Sequence, residues 1–445
     1  MKDQGKKIAV LGGGASGIAA ARLALAGGAL VCIFDTAEAE RFFDTREDLR
    51  VVGIEMCCGS EALKAPEDVD LIVVSPGIDR ETDLVKSFLA TGASMISEIE
   101  FAFQRDERPV VAITGTNGKT TTTELLTHLL NANGKRAVAA GNYGKAYSEV
   151  ALEDAWDVVV LEVSSFQLEE IDRFCPQVSV WMNFAPDHMD RYHSLDEYRR
   201  AKLRIFENQN PHDTAIVNAE DVPEGIVAQT VRFSAFGAQA DFTYEAGEIF
   251  YHGKALVDFT SGKLHGRHNA ENMMAAMAAA HALGIAFEDM NDALLEYEAP
   301  AHRCEKVAEI DGVVFVNDSK ATNLHALESS LRGQDEKVVL IVGGKNKGLD
   351  YSEITERVTA HVDQVLAIGE VADSILAVWQ DRVPCQKADS LQQAVESAFK
   401  AAKSGQVVLF SPGTSSFDMF SGYVERGECF KDFVKQIKPQ IGEQV

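Results

Sequence analysis

Residues 110–130 read VVAITGTNGKTTTTELLTHLL. A short apolar run, Val110 to Ile113, meets a turn carrying Gly115 and Gly118, and Lys119 and Thr120 lead into a segment with helical periodicity. Strand, glycine turn and helix with a lysine and a threonine at the junction form a phosphate cradle. Backbone N–H groups at the helix start point at the anion, Lys119 neutralises it, and the Thr120 hydroxyl can hold Mg²⁺. The spacing is shorter than G-x-x-x-x-G-K-[ST], since Ile113 stands five before Gly118 and Gly115 gives GTNGKT. The same cradle comprises Gly115, Thr116, Asn117, Gly118, Lys119, Thr120 and Thr121.

The rest of the chain repeats the alternation of strand and helix. At about 150 residues per domain, 445 residues imply three. The first segment opens with KKIAVLGGGASGIAAARLALAGGALVCIFD, where Gly12, Gly14 and Gly17 fit G-x-G-x-x-G and Asp35 ends the next strand. That fingerprint suits NAD, the ribose or base of another nucleotide, or a plain tight turn. VDLIVVSPGI adds a buried strand and a turn, and the small sheet ends near Glu98. The second segment carries WDVVVLEVSS, QVSVWMNFAPDHMD, DTAIVNAED and the helix NAENMMAAMAAAHALG, and closes around AHRCE. In the third, GVVFVNDSKATN, KVVLIVGGKNKG, QVLAIGE and GQVVLFSPGTSSFDMF are strands that each run into a polar loop. The expected class is α/β with three domains, 1–98, 99–303 and 304–445, each on a mainly parallel sheet: Rossmann-like, P-loop ATPase-like and Rossmann-like in turn.

A formal charge of −26 argues against nucleic acid or an anionic membrane as partner. Seven cysteines without paired spacing suit a reducing cytoplasm, and Cys57-Cys58 reads as two buried thiols. No apolar run approaches about 18 residues, so no membrane span is expected. The N-terminus imitates a secretion signal, but its glycines fall at a strand-to-helix turn and Arg22 interrupts the apolar stretch. A cytoplasmic location is expected.

Several polar residues stand where burial has a cost. Glu162 ends the strand of VVVLEVSS, and its chemical use would be Mg²⁺ opposite Thr120. His188 in APDHMD is a metal ligand or a structural histidine; Lys202 in RRAKLRIFE alone would be a solvated helix face. Asn269 and Asn272 lie three apart at a helix start, where Asn269 caps the helix or both read a base edge. Lys320, Thr322, Lys347, Ser416 and Arg426 sit on three strand-end loops, which together suggest an anion pocket.

In series, TGTNGKTTT, LEVSSFQL, NFAPDHMDRY, AKLRIFE, GRHNAEN, AHRCE, NDSKATN and SPGTSSFDMF resemble the Mur ligases, ATP-dependent amide-forming enzymes of peptidoglycan precursor synthesis. The N-terminal GGGASG and the late SPGTSSFDMF…ERG resemble the branch that adds D-glutamate to UDP-N-acetylmuramoyl-L-alanine. That resemblance implies ATP, D-glutamate and the UDP-sugar as substrates, two Mg²⁺ ions and a monomer. It implies that Ser16, Asp35, Thr36, Ser75, Gly77 and Asn142 hold the UDP substrate. Lys119 and Thr120 would meet triphosphate and Mg²⁺, Glu162 one metal, and His188 with a carbamylated Lys202 a second. Asn269, Asn272, Arg303 and Asp318 would contact ATP; Lys320, Thr322, Lys347, Ser416 and Tyr423 would form the D-glutamate pocket. Tyr423 departs from the family's phenylalanine, and Gly413-Thr414 from its small pair. Three other readings remain: an NAD-dependent oxidoreductase, which leaves the cradle unexplained; a folate-type polyglutamate ligase, not expected to begin with a nucleotide-sugar domain; and a nucleotide-gated binding protein, with no use for Glu162, His188 and Lys202 together.

Overall fold

The computed structural model describes residues 2–187, 191–298, 301–334 and 336–437. The first sheet is wholly parallel, built from β1 (Lys7–Leu11), β2 (Leu30–Asp35), β3 (Glu55–Cys58), β4 (Leu71–Val74) and β5 (Ser94–Ser97) in the order β3-β2-β1-β4-β5. The runs IAVL and LIVV suit strands covered on both faces. The strand order reverses at β1, so the loops after β1 and β4 open a crevice between them. Gly12 is required there: its φ is +103°, and a Cβ would come 2.8 Å from the Ser75 Oγ.

The central sheet comprises β6 (Val110–Thr114), β7 (Ala137–Gly141), β8 (Val158–Glu162), β9 (Val178–Trp181), β10 (Thr214–Asn218), β11 (Gln229–Ser234), β12 (Phe242–Glu245), β13 (Glu248–Tyr251) and β14 (Lys254–Asp258). Its order is β14-β13-β12-β11-β10-β9-β6-β8-β7, parallel from β7 to β12 and antiparallel in the β12–β14 meander at one edge. Placing β6 between β8 and β9 brings the ends of three strands beside the cradle. The third sheet is β15 (Glu305–Ile310), β16 (Val313–Asn317), β17 (Val338–Gly343), β18 (Val362–Ile368), β19 (Cys385–Lys387) and β20 (Val407–Phe410). Its order is β15-β16-β20-β17-β18-β19, with only the β15–β16 hairpin antiparallel. Three mainly parallel α/β sheets in series is the architecture the sequence pattern implies.

The first two domains share a core. One apolar cluster runs from Ile8, Ala20 and Ile33 through Ile99 and Phe101 to Tyr147, Leu161 and Val217, joining both sheets. The two clusters of the third domain, around Leu327 and Trp379 and around Phe315 and Phe430, are drawn wholly from that domain. All seven cysteines are unbridged and half-buried, so Cys57 and Cys58 are less enclosed than their sequence suggests. The Cys57 thiol lies 3.7 Å from that of Cys32 on the neighbouring strand, a meeting that their separation in sequence conceals. No helix among the described residues is long and apolar enough to cross a membrane.

Candidate functional site

At the end of β6 the chain turns through Gly115 (φ +150°) and Gly118 (φ +84°) into the helix Lys119–Ala132. A Cβ on Gly118 would lie 2.4 Å from the Asn272 Oδ1, so the helix start approaches its neighbour as only glycine allows. The loop is tied to the segment after β9. Thr116 N–H donates to the Asn183 carbonyl at 3.0 Å, Asn117 N–H to the Asn183 Oδ1 at 2.9 Å, and Ala185 N–H to the Thr116 Oγ1 at 3.0 Å. Leu125, Leu126, Leu129 and Leu130 bury the inner face of the helix and fix its N-terminus toward the loop.

Two lysines turn inward here. Lys119 Nζ donates to the carbonyls of Gly115 (2.9 Å) and Thr116 (2.8 Å), and Lys202 Nζ, from the helix Leu195–Leu203, also reaches the Gly115 carbonyl at 2.9 Å. Lys202 is 2% exposed, which removes the solvated-face reading. Burial pushes its pKa well below the ordinary lysine value and the charge of Lys119 adds to this; Asp187 and Glu162 oppose it. Lys119 is lowered for the same leading reason. The Thr120 Oγ1 donates to the Glu162 Oε2 at 2.6 Å, and Asn142 Nδ2 to the Glu162 Oε1 at 2.7 Å. A hydroxyl and a carboxylate meeting at a helix N-terminus are hard oxygen donors, which fit Mg²⁺ held by few protein ligands plus phosphate and water. Among the described residues no group of three or more His, Cys, Asp or Glu could hold a metal. His188 lies outside the described residues.

A cleft separates the central and third domains. One wall carries Asn117, Gly118, Thr121, Asn269 and Asn272; the other carries Arg303, Asp318 and Lys320. Asn269 does not cap its helix: Gly266 stands at the cap, while Asn269 Nδ2 donates to the His265 carbonyl at 2.9 Å. Asn272 Nδ2 donates to the Asn269 Oδ1 at 3.0 Å, so the two amides act as one unit. Asp318 accepts from Ser330 Oγ (2.5 Å) and Ser411 Oγ (2.9 Å), and burial pushes its carboxyl up to about 6. Sequence reasoning missed Glu271 in the same wall, whose burial pushes it up to about 7. Its place between the two asparagines was the available signal.

The five residues assigned to the D-glutamate pocket separate. Thr322 and Lys347 line a second cleft with Asp187, His325 and Glu328. Lys320 lines the first cleft, its ammonium 3.9 Å above the Tyr423 ring. Ser416 is buried with its carbonyl accepting from Met419 and Phe420 N–H, and lines neither cleft. Arg426, expected on an anion pocket, is fully buried instead. Its guanidinium bonds Ser319 Oγ (3.1 Å), the Ser319 carbonyl (2.8 Å) and the Thr414 carbonyl (3.0 Å), so it pins the strand-end loops together.

In the first domain both Asp35 carboxylate oxygens accept backbone N–H groups, from Gly13 (2.7 Å) and Ala37 (2.8 Å). Ser16 lies in the first turn of the helix Ala15–Ala26, with Thr36 and Gly77 exposed at neighbouring strand ends. The Ser75 Oγ is buried without a hydrogen-bond partner. Asn142 belongs to the central domain and its side chain sits on Glu162, beside the cradle.

Family models cover most of the chain: the Mur ligase MurD-like N-terminal domain at residues 6–97, the Mur ligase middle domain at 113–280, and the Mur ligase glutamate ligase domain at 302–413. The chain belongs to the Mur ligase family. Similar curated proteins carry the name UDP-N-acetylmuramoylalanine--D-glutamate ligase. That of Pelotomaculum thermopropionicum is 36% identical, covering 97% of this chain and 98% of the relative. That of Pelodictyon phaeoclathratiforme is 39% identical over 98% and 99%. Among solved structures, a pseudomurein peptide ligase type C from Methanothermus fervidus shares the fold with a TM-score of 0.60 at 18% identity, over 97% of this chain and 100% of that one. The UDP-N-acetylmuramate-alanine ligase of Thermotoga maritima gives 0.57 at 20%, with the same coverage.

Proposed function

We infer that the edge where β6, β8 and β9 end is the catalytic centre of an ATP-dependent ligase adding D-glutamate to UDP-N-acetylmuramoyl-L-alanine, a step of peptidoglycan precursor synthesis. The observation that carries this reading is the convergence of Lys119, Thr120, Glu162 and Lys202 at that edge, next to a cleft that Gly118 and Thr121 of the same loop and helix line together with Asp318 and Lys320.

A carboxylate is a poor electrophile, so the UDP substrate's carboxylate oxygen attacks the γ-phosphorus of ATP, giving an acyl phosphate and ADP. The amine of D-glutamate then attacks the acyl carbon, and phosphate leaves from the tetrahedral intermediate as the amine loses a proton. Lys119 is released from its loop carbonyls to offset charge on the transferring oxygens. Mg²⁺ held by Thr120 and Glu162 supplies charge stabilisation at the phosphates. Asn269, Asn272, Arg303 and Asp318 hold the nucleotide. The D-glutamate pocket is assigned to Thr322 and Lys347 with Lys320, Tyr423 and Ser416 of the same domain, and domain closure keeps water from the acyl phosphate. Ser16, Asp35, Thr36, Ser75 and Gly77 hold the UDP moiety.

A second Mg²⁺ is assigned to His188 and a carbamylated Lys202. Burial of Lys202 supports this, because only a neutral amine adds CO₂, releasing a proton and leaving a carboxylate on a long stem. The enzyme is read as cytoplasmic, in keeping with its unbridged cysteines, and as a monomer.

The test is product formation from UDP-N-acetylmuramoyl-L-alanine and ATP with D-glutamate, L-glutamate or D-alanine. Only D-glutamate should be ligated, since handedness is set by where the amine sits between two carboxylate anchors. Efficient use of either alternative refutes the pocket.

A further inference from the structure

Glu124 takes no part in the chemistry above, yet its carboxylate joins three segments of the centre. It lies one turn beyond Thr120 on the helix Lys119–Ala132 and therefore on the same face. Its Oε1 accepts from the Tyr143 hydroxyl and its Oε2 from the Tyr297 hydroxyl, the latter at 3.2 Å.

Tyr143 adjoins Asn142 in the loop after β7. Asn142 holds Glu162 twice, from Nδ2 to the Oε1 at 2.7 Å and from its own N–H to the Glu162 carbonyl at 2.8 Å. The loop runs close against its neighbours, since a Cβ on Gly141 would come 2.4 Å from that carbonyl and one on Gly144 2.6 Å from the Ala139 carbonyl. Tyr297 follows the helix Asn291–Glu296, is buried, and packs its ring 5.7 Å from that of His128. The positive charge of Arg303 reaches both phenols.

We propose that Glu124 is a positioning residue of the ligase centre, fixing through Tyr143 the loop that orients Glu162, with Tyr297 holding its second carboxylate oxygen. This rests on the reading of Glu162 as a metal ligand. Two phenol donors on one carboxylate are charge-assisted bonds, which hold geometry more firmly than neutral ones.

The test measures Mn²⁺ binding to the enzyme–ADP complex by the EPR signal of free Mn²⁺, and ADP binding in EDTA by calorimetry. Tyr143→Phe removes one hydroxyl and should weaken Mn²⁺ about three- to tenfold while leaving metal-free ADP binding unchanged. Tyr297→Phe should weaken Mn²⁺ less than Tyr143→Phe does, and Glu124→Gln at least as much, both with metal-free ADP binding unchanged. The double variant Glu124→Gln/Tyr143→Phe should bind Mn²⁺ no more weakly than Glu124→Gln alone, since both remove one interaction. Packing alone would lower thermal stability and leave both affinities at their wild-type values, which overturns the proposal. Losses that multiply in the double variant overturn it too. Glu162→Gln is the reference: if it weakens Mn²⁺ while Tyr143→Phe does not, this proposal fails alone. If Glu162→Gln binds Mn²⁺ normally, the metal reading fails and takes the proposal with it.

Discussion

Where the first domain meets the second, the helix Ala15–Ala26 lies on Tyr147–Val150, and the side chains between them belong to one apolar cluster. A buried ion pair adds to that joint: Arg105 holds Asp3 through two bonds of 2.7 Å. Among the described residues, the contacts where the second meets the third are mostly polar, and no apolar cluster spans the two domains. Asn323 Nδ2 donates to the Asp187 Oδ2 at 3.2 Å, the Asn117 amide meets His325, and Arg332 pairs with Glu220 at 2.9 Å while lying 3.7 Å above the Phe236 ring. A joint without a shared core leaves relative motion as the default. The difference fits the proposed roles: the first two domains share one core and carry the crevice proposed for the UDP substrate and the phosphate cradle, and the third carries Lys320, Thr322 and Lys347, the residues proposed for D-glutamate. A ligase that must admit three substrates and then exclude water needs such a division.

The largest effect should come from the cradle on the fixed body. Lys202→Ala should be nearly inactive, and a small added carboxylic acid filling the gap should partly restore the rate. Ordinary activity of this variant in carbonate-free buffer would refute the carbamate. Next, Tyr147→Ala removes a fully buried ring from the first joint and should cost about 3–5 kcal/mol in urea unfolding. A loss below about 1 kcal/mol would mean that the two domains do not fold as a unit.

On the moving side, Lys347→Ala deletes one charged donor. It should raise the KM for D-glutamate about ten- to a hundredfold and leave those for ATP and the UDP substrate nearly alone. A rise in the ATP KM instead would place Lys347 on the wrong substrate. The smallest change is expected at the second joint, where Arg332→Ala removes a part-exposed ion pair and a ring contact. It should cost no more than about 1 kcal/mol. A loss as large as that of Tyr147→Ala would erase the distinction between the two joints.

The cradle was legible because everything that defines it is local: an apolar run, glycines where φ must be positive, and a lysine and threonine at a helix start. Glu162 was legible because a carboxylate closing an apolar strand needs a purpose. What crosses the chain was hidden. Asn142 follows β7, and only the strand order β6-β8-β7 reveals that its amide lands on Glu162. Arg426 looks like an anion binder by its loop, but two of its three acceptors are backbone carbonyls, which no side-chain letter announces. Asp35 reads as a ribose ligand by spacing, and the letters do not show that its oxygens also hold the N–H groups of Gly13 and Ala37, each keeping a lone pair for a further donor. The residues assigned to D-glutamate share a sheet edge, yet a common edge does not put them in one cavity; Lys320 faces a different cleft from Thr322 and Lys347.

Phosphate release from ATP, with UDP-N-acetylmuramoyl-L-alanine and D-glutamate omitted in turn, tests the central claim most directly. Sustained release should require both together with ATP, because the acyl phosphate forms only on the UDP substrate and turns over only when the amine takes its acyl group. Release at an undiminished rate with either one missing would contradict the account.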